Sequence, residues 1–230
     1  YLAVRGGLNT PPLYGSRSTH ARAGMGGHKG RNLIDGDLLP LVASNADVKP
    51  MYLPAKQVKS LLTKMFEVSV VMGPQDDAFS VAEIKRFLTS TYQVGRNTDR
   101  MGMRLQGPVL EHESSADILS DGIAPGSVQV PGSGLPIVLL AERQTIGGYT
   151  KIATVVSCEL GRLSQLLSGA EFKFNKVSPE EAISMTRRKH KEMTELISSI
   201  CVQPTSVILS DLMTNNLVSG VVDANSSCEK

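Results

Sequence analysis

The sequence predicts a mainly β fold with a few helices, on three observations. Short apolar runs at Ser127 to Val130, Pro136 to Leu140 and Lys151 to Val156 are each too brief for a helix, and Pro and Gly separate them, which favours strands and tight turns. Apolar residues also alternate with others from Phe66 to Met72, and Phe172 and Phe174 alternate with charged neighbours, the period of a half-buried strand. Only two capping boxes announce helices.

In chain order, residues 1–50 are rich in Gly, Ser, Thr and Arg, with strand-like pieces at Tyr1 to Val4 and Leu38 to Val42 around a loop-like middle. The start already reads as the inside of a strand and carries no initiator methionine, so an N-terminal portion is expected upstream. Gly73-Pro74 stops the strand that runs to Met72. Ser80 to Glu83 forms the first capping box, and Val81, Ile84, Phe87 and Leu88 then share one face of a helix expected to reach Tyr92. Ser178-Pro179-Glu180-Glu181 is the second, with proline at the first helical position and acids in the first turn; its helix is expected to reach Ser199, with Met193, Leu196, Ile197 and Ile200 as its apolar face. Thr205 to Val222 reads as a further packed helix through Leu209, Leu212, Met213, Asn216 and Leu217, and 225–230 as a tail. The expected organisation is therefore a β remainder over 1–66, a strand-rich region closed by a helix over 67–200, and an extension over 201–230.

Composition narrows the function classes. A hydrophobic content of 41% supports a real core, and 24 basic against 22 acidic residues leave a charge too small to argue for nucleic acid or an anionic membrane. Three scattered cysteines, Cys158, Cys201 and Cys228, suggest neither disulfide framework nor zinc site and fit a cytoplasmic protein. The four histidines have no metal-ligand spacing, so no metal is predicted. No apolar run approaches the roughly 20 residues that span a bilayer.

The chemistry-bearing residues cluster between 99 and 151. Arg143-Gln144, Gly147-Gly148-Tyr149 and Lys151 suit a pocket for a small molecule bearing an amide and a carboxylate: Arg143 for the carboxylate, Gln144 for the amide, Lys151 for a developing oxyanion. The competing reading is a surface hairpin whose Gly-Gly makes the turn. Arg100 and Arg104 are four apart, so on an extended chain both face one cleft, or else they neutralise Asp99 and Glu111 at a sheet edge. Asp121 is either a general base or part of an Asp-Gly turn, and Gln129 points opposite to Val128 and Val130. The glycine-rich stretches at 15–19 and 24–31 lack the Gly-x4-Gly-Lys-Ser/Thr string and read better as a mobile loop than as a phosphate cradle. The basic run Arg187 to Lys191 reads as a solvated helix face.

Four of these strings occur together and in order: Gly-Ser-Arg-Ser-Thr at 15–19, Gly-Pro-Gln-Asp-Asp-Ala-Phe at 73–79, Asp-Arg-Met-Gly-Met-Arg-Leu-Gln-Gly-Pro at 99–108, and the segment 121–155. With them the chain, from Tyr1 to about Val177, resembles the biotin-dependent carboxyltransferase family, also called allophanate hydrolase subunit 2, which includes the C subunit of 5-oxoprolinase, the KipA protein and the carboxyltransferase region of urea carboxylase. The family string Ala-Asp-Arg-Gln-Thr-Thr-Gly-Gly-Tyr-Pro-Lys is matched at Arg143, Gln144, Gly147, Gly148, Tyr149 and Lys151, while Glu142, Ile146 and Thr150 depart from it.

The resemblance implies cyclophilin-like β-barrel subdomains and, for activity, one component of an ATP-dependent 5-oxoprolinase that opens the cyclic amide of 5-oxoproline to glutamate together with the B and A subunits of that enzyme. In that reading Asp121 and Lys151 are catalytic, Arg100, Arg104, Gln129, Arg143, Gln144 and Tyr149 bind substrate, and ATP is used by the complex, its site lying on a partner. Two alternatives stand beside it. One is transfer of a carboxyl group from carboxybiotin, carried on another polypeptide, to urea or a related amide; the other is KipA-like binding of a kinase inhibitor.

Overall fold

The computed structural model describes residues 4–43, 51–54 and 67–202. The chain divides into two compact units, 1–50 with 202–230, and 51–201. The expected helix at Thr205 to Val222 and the tail lie outside the described residues, as does all but Val4 of the first strand-like piece.

Within the first unit, the described part is loop with a short antiparallel pair, Thr19–His20 with Met25–Gly26. Leu38 to Val42 forms no strand; it contributes only the bridge of Leu41 to Leu8. The glycine-rich stretch is tied down by one carboxylate. Asp37 receives two bonds from Arg31 at 2.8 and 2.7 Å and the Ile34 N–H at 2.9 Å, with His28 Nε2 at 3.3 Å. The Arg31 guanidinium holds the Asp37 carboxyl far below the usual carboxylate range.

Among the described residues, the main sheet of the second unit has eight strands: β1 Glu67–Met72, β2 Thr91–Val94, β3 Gly102–Gln106, β4 Asp117–Gly122, β5 Ser127–Val130, β6 Ile137–Leu139, β7 Ile146–Val155 and β8 Glu171–Lys176. Their order is β1-β8-β2-β3-β6-β5-β7, and β7 pairs back with β1, so seven strands close a barrel and leave no edge between them. The β1–β8 pair is parallel, and every other pair is antiparallel. The eighth strand, β4, pairs with the first part of β7 and extends the sheet beyond the barrel. Asp121-Gly122 is thus the end of a strand, and the Asp-Gly turn reading is corrected.

Inside the barrel, Val68, Val70, Tyr92, Val94, Met103, Leu105, Val128, Val138, Phe172 and Phe174 are buried. Aromatic rings fill one region of this core: Phe87 stacks on Phe174 at 4.5 Å, and Phe172 meets Phe174 edge-on at 5.2 Å. Each such side chain contributes about 1.5–3 kcal/mol by leaving water.

Helix α1, Val81–Thr89, supplies Phe87 to that core. Its cap forms as the sequence predicts on one side only, Ser80 Oγ accepting the Glu83 N–H at 3.2 Å. Glu83 does not return the bond; it is buried, takes the Glu111 N–H at 3.1 Å and pairs with Arg86 at 3.0 Å. The helix also stops short of Tyr92, which sits in β2, and Val81 is solvent-exposed. A short helix α2, Leu160–Leu163, precedes β8. Helix α3, Pro179–Ser198, carries the complete second capping box, with Glu181 N–H to Ser178 Oγ at 3.1 Å and Ser178 N–H to Glu181 at 2.7 Å. Its expected apolar face is not buried: Met193, Ile197 and Ile200 are exposed.

Tyr92 is fully buried, yet its hydroxyl has no hydrogen-bond partner among the described residues. Burial and the nearby Glu83 charge push its pKa up. A buried hydroxyl left unpaired costs about 1–3 kcal/mol, so Tyr92→Phe is expected to leave the unfolding midpoint unchanged or raise it. Chemical denaturation checks this, and a clear loss of stability would assign the hydroxyl a partner.

Candidate functional site

Ladder register sorts the strand residues onto two faces. Met103, Val138 and Val128 lie opposite one another on the core side. Their neighbours Arg104, Ile137, Gln129 and Lys151 form the matching row on the outer face, each paired with the next across β3, β6, β5 and β7. Residues directly opposite have Cβ atoms about 4.5–5.5 Å apart, which places the Gln129 and Lys151 side chains together. Both are only 2% exposed although they face outward.

What covers them is the extension of the sheet. Four residues of straight strand would carry Gly147 about 13 Å from Lys151. Instead, a methyl group placed on Gly147 would come within 3.1 Å of Gln129 Nε2 and 2.7 Å of Ile123 Cδ1. Register shifts between Gly147 and Tyr149 and between Lys151 and Ala153 bend β7 and bring its first half, with β4, back over the outer face. Gly147-Gly148 is therefore part of a strand, not a hairpin turn, and its missing side chain keeps open the space in front of the Gln129 amide.

Asp121 arrives on β4 and completes the corner. Its Oδ2 accepts from Lys151 Nζ at 2.8 Å, and Oδ1 accepts the Gly122 N–H at 2.7 Å. Lys151's side chain is 3% exposed and Asp121's 53%, so the pair joins a buried ammonium to a carboxylate open to solvent. The Lys151 bond, with help from the Gly122 N–H, lowers the Asp121 pKa. One partner came to light only in the structure. Gln75, between β1 and α1, accepts the Lys151 main-chain N–H on Oε1 at 3.2 Å, and its side chain adds a small share to the lowering of the Asp121 pKa. The Gly-Pro-Gln-Asp-Asp string was the available signal, but no spacing rule connects Gln75 to two residues so far along the chain.

The corner is rich in unused donors. Gln129 Nε2 is buried without a partner among the described residues, and Lys151 Nζ, which has three N–H groups, makes the single bond to Asp121. Gln144 joins them, its Nε2 3.5 Å from the position of a Gly147 methyl. Asp121, Gln129, Gln144 and Lys151 are thus brought together.

The remaining predicted residues divide. Arg104 shares the outer row, two strand spacings or about 10 Å from Gln129, and is exposed. Arg143 Nε donates to Ile123 O at 3.1 Å and Nη1 to Leu140 O at 3.5 Å, so its guanidinium braces the residue that roofs Gln129. Arg100 precedes β3 and pairs with Glu142 at 2.9 Å, and Tyr149 stands half-exposed opposite Asp117. Arg100 and Arg104 do not act as a pair, because Arg100 lies before the strand whose alternation would align them. No cluster of three or more metal-ligating side chains occurs among the described residues, and none of their helices is long and apolar enough to cross a membrane.

Comparison with known proteins gives one consistent family. A family model for the carboxyltransferase domain, subdomain A and B, matches residues 1–176. The chain is 38% identical over 196 residues to the C subunit of 5-oxoprolinase from Escherichia coli, covering 85% of this chain and 62% of that protein. It is 37% identical over 193 residues to the Haemophilus influenzae counterpart of the same name, covering 82% and 59%. It spans about three fifths of the length of these relatives. Among solved structures, Kluyveromyces lactis urea carboxylase superposes with a TM-score of 0.70 at 28% identity, covering 84% of this chain and 19% of that one.

The unequal exposure of the ion pair fixes what each half does for stability. Asp121→Ala strands a buried ammonium, whereas Lys151→Met removes a desolvated charge and leaves a carboxylate that water can serve. Thermal unfolding at neutral pH is expected to show Asp121→Ala well below the parent and Lys151→Met at or above it. The Asp121 pKa is depressed on folding, so the pair's contribution is present above the ordinary carboxylate range and is lost as pH falls through the depressed value; the gap between parent and Asp121→Ala closes there.

Proposed function

This chain belongs to the carboxyltransferase domain family, subdomains A and B, and on that premise we propose that it is one component of an ATP-dependent 5-oxoprolinase whose corner at Lys151 holds the substrate's cyclic amide. The observation that carries this reading is the buried, unpaired Gln129 amide beside the Lys151–Asp121 pair. Gln129 Nε2 and Lys151 Nζ offer donors, and the half-exposed Asp121 carboxylate retains acceptor capacity. A ring amide presents its carbonyl oxygen and its N–H on one edge, the complement of that arrangement. Because Asp121 already balances the Lys151 charge, a neutral carbonyl suits the donors without leaving a charge unpaired. Arg104 on the same face then takes the substrate carboxylate.

In this reading the carbonyl oxygen accepts from Gln129 and Lys151, which orient it for phosphoryl transfer and draw electron density from the carbonyl carbon. The ring amide is unreactive, so ATP consumed by the complex would drive the opening: the carbonyl oxygen would take the terminal phosphoryl group as ADP leaves, one water would add to the carbon, the ring nitrogen would gain a proton as its C–N bond breaks, and a second water would release phosphate from the resulting acyl phosphate to leave glutamate. Asp121 accepts from the ring N–H and so orients the edge. The B and A subunits of 5-oxoprolinase complete the assembly, as the likeness to its C subunit in two bacteria suggests.

A second reading has its own support in the likeness to urea carboxylase. Urea carries the same edge of carbonyl and N–H, and the corner would hold it while a carboxyl group arrives from carboxybiotin on another polypeptide.

The test is reconstitution with the A and B subunits, measuring ATP hydrolysis that depends on 5-oxoproline. Gln129→Leu keeps the volume and removes the donors, and is expected to lower turnover by about two orders of magnitude or more while the fold persists. Full activity in that variant would remove the corner from the reaction. Carboxylation of urea in place of 5-oxoproline turnover would select the second reading.

A further inference from the structure

We infer that Gln75 is a positioning residue: with its own N–H and its side-chain amide it fixes the main chain of Lys151 beside Asp121, and so sets the geometry of the corner. The inference rests on the reading of that corner as the functional site. Two bonds to the Lys151 main chain define the device. The Gln75 N–H points at Lys151 O at 3.4 Å and Gln75 Oε1 accepts the Lys151 N–H at 3.2 Å, while the same side chain helps hold the Asp121 carboxyl low. The two bonds reproduce with one residue the pair that a neighbouring strand would give Lys151.

They are needed because β1 ends at Met72, where its register with β7 stops at Ala153. Lys151 is two residues away along β7, at the edge of the bulge, and its N–H and C=O face away from β5 with no strand to receive them. Gln75 takes over that role, and Gly73 lets the chain turn close enough: a methyl group there would lie 2.1 Å from Lys151 O and 2.9 Å from Ala153 N. An unpaired main-chain group beside a buried ammonium is costly, so the site tolerates little loss at this point.

The amide is also the right chemistry for its second task. Asp121 is held by Lys151 on Oδ2 and by Gly122 on Oδ1, and the neutral Gln75 amide favours the carboxylate without a second positive charge. A carboxylate at position 75 would still accept from the Lys151 N–H but would repel Asp121. The two halves of the role are therefore separable by substitution.

The experiment uses the whole chain and no substrate, so its outcome is independent of which reaction the corner performs. The Asp121 carboxyl is titrated by carbon NMR and the exchange of the Lys151 amide is followed in the parent, in Gln75→Met and in Gln75→Glu. Gln75→Met keeps the shape and is expected to speed Lys151 amide exchange at least about tenfold and to raise the Asp121 titration midpoint. Gln75→Glu is expected to raise that midpoint further while leaving the amide protected. In the parent, the Gln75 side-chain NH2 resonances should move in step with the Asp121 titration, a reading that needs no variant to fold. Unmoved NH2 resonances, or an Asp121 midpoint and Lys151 exchange rate the same in all three proteins, would overturn the inference.

Discussion

A lysine on the outer face of a β-barrel is ordinarily solvated, and its ammonium costs nothing there. Lys151 is instead covered, and the cost of removing that charge from water governs the neighbourhood. The counter-charge must come from an element that reaches over the face, and Asp121 on β4 supplies it. For β4 to reach, β7 must bend, which the two register shifts accomplish. For the bend to close on the Gln129 amide without filling the space before it, position 147 must lack a side chain. Bulge, glycine, extra strand and acid are thus consequences of one buried charge.

The barrel makes the arrangement rigid where it must be. Val128 and Val130 are locked into the core, so Gln129 between them has no freedom to choose another face. Met103 does the same for Arg104. Asp121 stands on a strand outside the closed cylinder, paired on one side only, and it is also the half-exposed member of its ion pair. The donors are therefore fixed by the core and the acceptor by a flap of sheet, an order that suits a site which must admit a ligand edge between them.

Much of this was legible in the sequence, because strand alternation and capping are local. The strand Ser127–Val130 and the orientation of Gln129 follow from period two, and the box at Ser178 forms with both bonds. What was not legible depends on contacts distant along the chain. Glu83 completes a capping box on paper, but the loop N–H of Glu111 competes for its carboxylate and wins. Asp-Gly and Gly-Gly read as turns, yet here they lie opposite each other as strand partners, Asp121 with Gly147, because β4 needs a partner and β7 runs on to supply one. Arg143 reads as a ligand clamp; that its Nε and Nη1 face two main-chain carbonyls depends on loops the local sequence does not announce. Gln75 was invisible because nothing in its own neighbourhood requires the amide.

The departures from the family string now have places. Glu142 binds Arg100 at 2.9 Å at the surface, so the added methylene is absorbed by a flexible ion pair and does not touch the corner. Ile146 is exposed at the start of β7. Thr150 is the consequential one, since it stands where the family string has proline. A proline lacks an N–H, whereas the Thr150 N–H donates to Ala116 O at 3.0 Å and its hydroxyl lies within bonding distance of Val130 O and of His112 Nε2. Those bonds lie immediately before Lys151, where β7 leaves β5 for β4. In this chain the hinge of the flap is therefore secured by a main-chain bond to Ala116, just before β4, that a proline at 150 cannot make, while Gln144, Gly147 and Lys151 among the matched residues stand at the corner. Within that string, variation has fallen on how the acceptor strand is attached, and Gln144 and Lys151 match the family.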